Sequence, residues 1–214
     1  MNILIACEES QRICIEMRKR GHNAFSCDIQ KCSGGYPQWH IIQDALLLLA
    51  DNVEFITEDK KKHVINKWDM LIAHPPCTYL SNVSAVHMFS KKKLNKERYK
   101  KALAAKEFFM NFINAPIDKI CVENPMPLSI LNMPKPDCII QPYEFGDHYS
   151  KRTYLWLKGL PPLMPTEYYI GEVTPWVNAS GGKKRKGKKG VANTKKERSK
   201  TFCGIAKAMA TQWT

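Results

Sequence analysis

The sequence predicts one α/β domain built around a doubly wound, mostly parallel sheet. Three features carry that expectation. The chain opens on an apolar run, Asn2 to Cys7, followed by a helix-like stretch and a second run, Ala24 to Cys27, which together make a strand–helix–strand unit. Two later runs, Asp69 to Ala73 and Asp118 to Val122, are short and apolar enough to be buried strands. Each strand ends in residues that can do chemistry, and open α/β sheets place ligands at such strand ends.

Length and composition set the bounds. The 214 residues are enough for one domain with a real core, and a hydrophobic content of 44% is ordinary for a globular chain. The longest apolar run, Ala45 to Ala50, is far too short to cross a bilayer. The first strand begins at Asn2 and runs into Glu8 and Glu9 with no basic n-region, so no secretory signal is expected. Eight cysteines lie scattered without regular spacing; reduced thiols and a cytoplasmic location follow from that reading. The formal net charge of +13 favours a polyanionic partner, nucleic acid above all.

In chain order, Ser10 is a candidate N-cap for a helix carrying Ile13, Ile15 and Met17 and ending at Gly21. The second strand closes on Asp28. An acid there accepts hydrogen bonds from ribose hydroxyls in nucleotide-binding sheets, or it is a solvated loop aspartate. Residues 30–43 read as a loop around Gly34 and Gly35, with Trp39 and His40 over a ligand or in the core. Cys27, Cys32, His22 and His40 match no common zinc spacing, and no metal is expected. Asp44 can cap a helix starting at Ala45. The polar residues 51–67 read as an irregular connection.

Pro75 and Pro76 stop the next strand, since neither has an N–H for a sheet ladder, and they stiffen the backbone that carries Cys77. Cys77 is either a buried thiol in a tight turn or a nucleophile. Ser84 to Lys93 reads as a mobile loop. Lys96 to Ile113 is the clearest helix, with Tyr99, Leu103, Phe109 and Phe112 or Ile113 on its apolar face. Glu123, after the strand Asp118 to Val122, is either an acid satisfied by turn N–H groups or a working carboxyl. Ile139 to Gln141 and Thr153 to Lys158 are strands, the latter with Leu155 and Leu157 on one face. Gly146 to Thr153 is a polar, basic loop. Residues 161–180 are rich in proline and aromatics. From Lys183 to Lys200 there are ten lysines or arginines and one acid, Glu197, a run that cannot fold alone. A last helix, Gly204 to Gln212, sets Ile205, Ala208 and Met209 on one side.

Pro75-Pro76-Cys77 after an apolar strand, with Ser81 four residues on, resembles the catalytic loop of the cytosine-5 DNA methyltransferases. Ile120-Cys121-Val122-Glu123-Asn124-Pro125 is similar to that family's strand ending in Glu-Asn, and the two segments lie in the family's order. The resemblance implies the Rossmann-like fold of S-adenosylmethionine-dependent methyltransferases and methylation of cytosine at the 5-position in DNA. It implies S-adenosylmethionine as cofactor, held by the loop Ala6, Cys7, Glu8, Glu9 and Ser10, by Asp28 on the ribose, by Asp44 near the adenine amine, and by Pro75. Cys77 would be the nucleophile and Glu123 the acid. Arg152 would steady the base and Glu123, with Lys151 behind it. Pro76, Ser81, Asn124 and Pro125 would shape the base site.

Two departures stand out. The family's cofactor loop is glycine-rich, whereas Cys7 to Gln11 contains no glycine. An acidic loop suits a sulfonium and an ammonium and suits a phosphate poorly. The family also inserts a large target-recognition domain, where this chain has only the stretch from Gly159 to Phe202, too short for an ordinary independent domain. The expected division is a catalytic core over 1–160, an insert over 161–200, and a C-terminal helix over 201–214 packed back on the core. The insert would be disordered where it is polybasic and would hold DNA with Lys183 to Lys200. The resemblance implies a compact member of the family, of the kind often carried by bacteriophages. Two rival readings are a catalytically degenerate DNA-binding protein on the same fold and an enzyme acting on free cytosine nucleotides.

Overall fold

A computed structural model describes residues 1–90, 93–177, 190–192 and 194–214. Seven strands form one sheet: β1 (Asn2–Ala6), β2 (Asn23–Asp28), β3 (His40–Ile42), β4 (Met70–Ala73), β5 (Lys119–Asn124), β6 (Cys138–Ile140) and β7 (Thr153–Lys158). Their spatial order is β6-β7-β5-β4-β1-β2-β3. The five strands from β5 to β3 are parallel, and β7 runs antiparallel to both β5 and β6. This is a doubly wound, Rossmann-like sheet. The strand order reverses between β1 and β4, which opens a crevice at their carboxyl ends.

Three main helices cover the sheet: α1 (Arg12–Lys19), α2 (Lys96–Ile113) and α3 (Cys203–Gln212). Successive side chains on each strand point to opposite faces, so the apolar runs build two cores. Ile3, Ile5, Ile72, Cys121 and Leu155 pack with Ile13 and Met17 of α1 and Ile205 and Met209 of α3. Leu4, Leu71, Val122 and Trp156 pack on the other face with Phe109 and Phe112 of α2. Gly204 is needed at the start of α3, because a Cβ there would run into the Phe145 carbonyl oxygen.

Several expectations change. Residues 53–65 form a hairpin, Val53–Ile56 with Lys62–Ile65, whose Phe55 and Ile65 join Phe25 and Trp68 in the core; exposed Ile56 and Val64 on the outer face, beside Glu54 and Lys62, break the apolar–polar alternation that would have marked it. β3 lies inside the stretch read as a loop, three residues being too few to show a period. Residue 103 leaves the apolar face of α2: Leu103 is 44% exposed, and the buried stripe is Ala102, Phe109 and Phe112. Ser84 to Lys93 is not one open loop. It contains a helical turn, Ala85–Met88, and a short ladder of Phe89–Ser90 with Lys93–Leu94.

The insert is structured at both ends. Trp213 Nε1 donates to the Pro161 carbonyl at 3.0 Å, and Thr174–Pro175 pair with Tyr149–Ser150. Thr194 and Glu197 form a reciprocal capping box that opens a short helix, Lys195–Ser199. The run Lys183 to Lys189 lies outside the described residues. Among the described residues no helix is long and apolar enough to cross a membrane.

Candidate active site

The first wall of the crevice is the turn after β1. Cys7 and Gln11 have φ of 59° and 58°, in the left-handed region that glycine usually fills. Each costs about 1–2 kcal/mol for an L-residue. Gln11, fully buried, holds the turn against the next loop: Nε2 donates to the Tyr36 carbonyl at 2.9 Å, and Oε1 accepts the Tyr36 N–H at 3.1 Å. A Cβ at Gly34 would run into Gln11 and the Ser10 carbonyl, so the missing glycine of the first loop reappears in the second. Strain kept in place by such packing marks functional turns.

Glu8 turns inward. Its carboxylate accepts the N–H groups of Ile13 at 2.7 Å and Cys14 at 3.3 Å, so it, not Ser10, caps α1. Burial pushes its carboxyl up to about 7, against the opposing pull of His74, those two N–H groups and Arg12. Dinucleotide folds set a pyrophosphate on the same helix N–H groups. Here a carboxylate already occupies them, which excludes that mode of phosphate binding. Glu9 and Ser10 are also buried, and the Glu9 carbonyl accepts the Ser33 N–H at 2.8 Å.

Asp28 is half-buried and accepts the Gln30 N–H at 2.9 Å. Asp44 is exposed and caps the 3-10 helix Ala45–Leu48, accepting the Leu46 N–H at 3.0 Å. Burial first, then Asp28, Cys27 and Asp44, push the Cys7 thiol far above its ordinary range. A carboxylate accepts several donors, so both acids can still take a ribose hydroxyl or an adenine amine. These residues fit a cationic nucleoside cofactor. His40 belongs to the core: it is fully buried between Ser26 Oγ at 2.8 Å and the Gln30 carbonyl at 2.8 Å.

The opposite wall joins the ends of β4 and β5. Asn124 Nδ2 donates to the Pro75 carbonyl at 2.8 Å. The Cys77 carbonyl accepts the Leu80 and Ser81 N–H groups, Asn82 N–H donates to the Met126 carbonyl at 2.7 Å, and Leu128 N–H donates to the Leu80 carbonyl at 2.7 Å. The loop carrying Cys77 and the loop after Glu123 are thus stitched into one piece. Pro75 is buried; Pro76 and Cys77 are exposed at the mouth; Ser81 is buried against Pro127. Pro125 is half-buried.

Sequence reasoning missed His74, although a titratable residue between a buried strand and two prolines was a signal. Its Nδ1 lies 3.1 Å from Glu123 Oε2. Burial pushes the Glu123 carboxyl up, but the Lys151 ammonium and the His74 bond outweigh it and hold the group below the ordinary range. Arg152 is exposed, its guanidinium 6.0 Å from the Tyr154 ring centre, so Lys151 brings the positive charge to Glu123. His74, Glu123, Lys151, Thr153 and the C-terminal residues Thr201, Phe202, Ile205 and Met209 enclose only ≈ 10 Å³, about one water. Asn124 Oδ1 and His74 Nε2 are buried with no hydrogen-bond partner among the described residues. Such atoms call for a bound molecule or water.

No protein-family model and no curated protein matches the chain. Among solved structures it is similar to one described as a candidate DNA modification methyltransferase encoded within a prophage (E. coli), at 13% identity and a TM-score of 0.47. The match covers 87% of this chain and 62% of that one, so the chain spans less than two thirds of its neighbour.

Beside the Cys77 loop lies an open cleft of ≈ 500 Å³ lined by Tyr79, His87, Phe89, Arg98 and Lys101. The Arg98 guanidinium sits 5.1 Å from the Tyr79 ring centre and donates to the Thr78 carbonyl at 3.2 Å, tying the loop to α2. Among the described residues no three His, Cys, Asp or Glu side chains gather where a metal ion could sit.

Proposed function

We propose that the chain is a DNA methyltransferase that methylates cytosine at the 5-position through a covalent adduct with Cys77. The observation that carries this reading is the stitched pair of loops: an exposed thiol in the loop after β4 and a mostly buried carboxyl at the end of the neighbouring parallel strand β5, beside the crevice where the strand order reverses. Carbon 5 of cytosine is a poor nucleophile. Addition of the Cys77 sulfur at carbon 6 converts the ring to an enamine and makes carbon 5 reactive. Glu123 stabilises the charge that develops at ring nitrogen 3. Pro76, Ser81, Asn124 and Pro125 hold the base, with Lys151 in the role that the resemblance gives to an arginine. The turn from Ala6 to Ser10, with Asp28, Asp44 and Pro75, would hold S-adenosylmethionine, which would supply an electrophilic methyl group; Glu8 would shape that turn from within, its carboxylate being taken up by the α1 N–H groups. A base, such as water, takes the proton from carbon 5; the C–H pair re-forms C5=C6 and the C6–S bond breaks, which frees the Cys77 thiolate. A base in duplex DNA must leave the stack to reach this site. The net charge of +13 and the run Lys183 to Lys200 support a polyanionic substrate over a free nucleotide.

DNA carrying 5-fluorocytosine tests the reading, because fluorine blocks the elimination that frees the thiol. With S-adenosylmethionine present, the wild-type chain should form a covalent complex, and Cys77→Ala, folded by circular dichroism, should form none. A wild type that binds the cofactor yet forms no complex would sink the cysteine route. Failure to bind the cofactor would favour the degenerate DNA-binding protein.

A further inference from the structure

Three titratable side chains stand at the ends of adjacent parallel strands: Glu8 beyond β1, His74 beyond β4 and Glu123 in β5. The pairings of Ala73 with Ala6 and with Val122 bring them to one level. Glu8 is 3% exposed, and the side chains of His74 and Glu123 are 7% and 15% exposed. The His74 backbone N–H donates to the Ala6 carbonyl at 3.0 Å, which fixes the base of the side chain. A 3.1 Å contact between Nδ1 and a carboxyl oxygen requires a proton between them. Among the described residues, the charged groups facing the pair are Glu8 and Arg12 on the α1 side and Lys151 before β7, and the C-terminal segment brings Thr201, Phe202, Ile205 and Met209.

We infer that His74 is the proton store of Glu123, a positioning residue that shares one proton with that carboxyl and supplies it while a base is attacked. The inference rests on the cytosine reading above. As the Cys77 sulfur bonds to carbon 6, the C5=C6 pair moves to C4=C5 and the C4=N3 pair moves onto nitrogen 3. Nitrogen 3 takes the one shared proton through the Glu123 carboxyl. Glu123 is left ionised and His74, an imidazolium in the resting pair, is left a neutral ring protonated on Nε2. When carbon 5 forms its new bond, nitrogen 3 returns the proton along the same path, so the pair is unchanged over the cycle. His74 answers a specific difficulty: Lys151 favours an ionised Glu123, and an ionised carboxylate has no proton to give.

His74→Asn tests this. Asparagine keeps an N–H donor toward Glu123 but cannot carry the proton. The rate of adduct formation on 5-fluorocytosine DNA is followed from about pH 5.5 to 9, with cofactor affinity by calorimetry. His74→Asn should bind the cofactor as wild type does. It should lose about 10²-fold or more in adduct rate and lose the alkaline limb of the pH profile. A variant that keeps both overturns the inference. Nitrogen-15 NMR on the wild type reads the pair without activity. A strongly downfield Nδ1 proton should be present and absent from Glu123→Gln; its absence from the wild type at every pH overturns the sharing. If the wild type forms no adduct while this proton is seen, the cytosine reading fails and the pairing stands.

Discussion

The side-chain amide of Asn124 donates to the Pro75 carbonyl 2.8 Å away, and this bond makes the end of β5 and the loop carrying Cys77 one unit. Pro75 is buried, so its carbonyl has no water to fall back on. Asn124→Ala should cost about 1–3 kcal/mol, the penalty for a buried acceptor left unpaired. It should also lower turnover more than cofactor affinity, because it loosens Cys77 relative to Glu123. Asn124→Asp should be worse, since a carboxylate would face a carbonyl oxygen. Urea unfolding with methylation assays on both variants checks this; full activity in Asn124→Ala would remove the bond from the working site.

Glu8 predicts a pH dependence of stability. Its folded value, about 7, lies above the ordinary 4.5 because of burial. Between those values the folded chain keeps a proton that the unfolded chain has lost. Stability present below about pH 4.5 is therefore lost as pH rises through 7, by roughly 3 kcal/mol at about 1.4 kcal/mol per unit. Glu8→Gln should lose less stability than wild type between pH 5 and 8. Parallel urea midpoints for the two chains would show that Glu8 is not the group responsible.

Much of the fold was legible in the sequence because both faces of the central strands are buried. Asn2 to Ala6 and Met70 to Ala73 read as continuous apolar runs for that reason. The hairpin at 53–65 was missed because Val53, Phe55, His63 and Ile65 face the core while Ile56 and Val64 stand exposed beside Glu54 and Lys62, so its apolar residues do not alternate cleanly with polar ones. The strand ends carrying Cys77 and Glu123 were legible as motifs. His74 was not, because its role comes from a neighbour on β5 far away in sequence. Arg152 and Lys151 differ by one position, and adjacent residues on an extended chain point opposite ways, which sequence alone does not resolve.

The cofactor wall can be tested at two positions. Asp28→Ala should weaken S-adenosylmethionine binding about tenfold or more by calorimetry, the loss of a hydrogen bond to a charged acceptor. Unchanged affinity takes Asp28 out of the site. Cys7→Gly should fold at least as well as wild type, since glycine adopts the observed φ of 59° without strain. A large drop in melting temperature would mean that packing of the Cys7 side chain outweighs the strain.

Lys183 to Lys189 should govern DNA affinity rather than catalysis. Each phosphate contact adds about 0.9 to the slope of log affinity against log salt. Deleting the segment should flatten that slope and raise the DNA concentration needed for half-maximal rate, with cofactor affinity unchanged. Equal slopes for the two forms would place the phosphate contacts elsewhere, with the Tyr79–Arg98 cleft the next surface to test.

The most direct test of the central claim is the chemical identity of the product. DNA incubated with the full chain and S-adenosylmethionine is digested to nucleosides, which are separated by chromatography and identified by mass spectrometry. A Cys77 adduct can activate only carbon 5, so the account predicts 5-methylcytosine, absent with Cys77→Ala. Methyl groups on the exocyclic nitrogen of cytosine or adenine, or 5-methylcytosine made equally by Cys77→Ala, would contradict it.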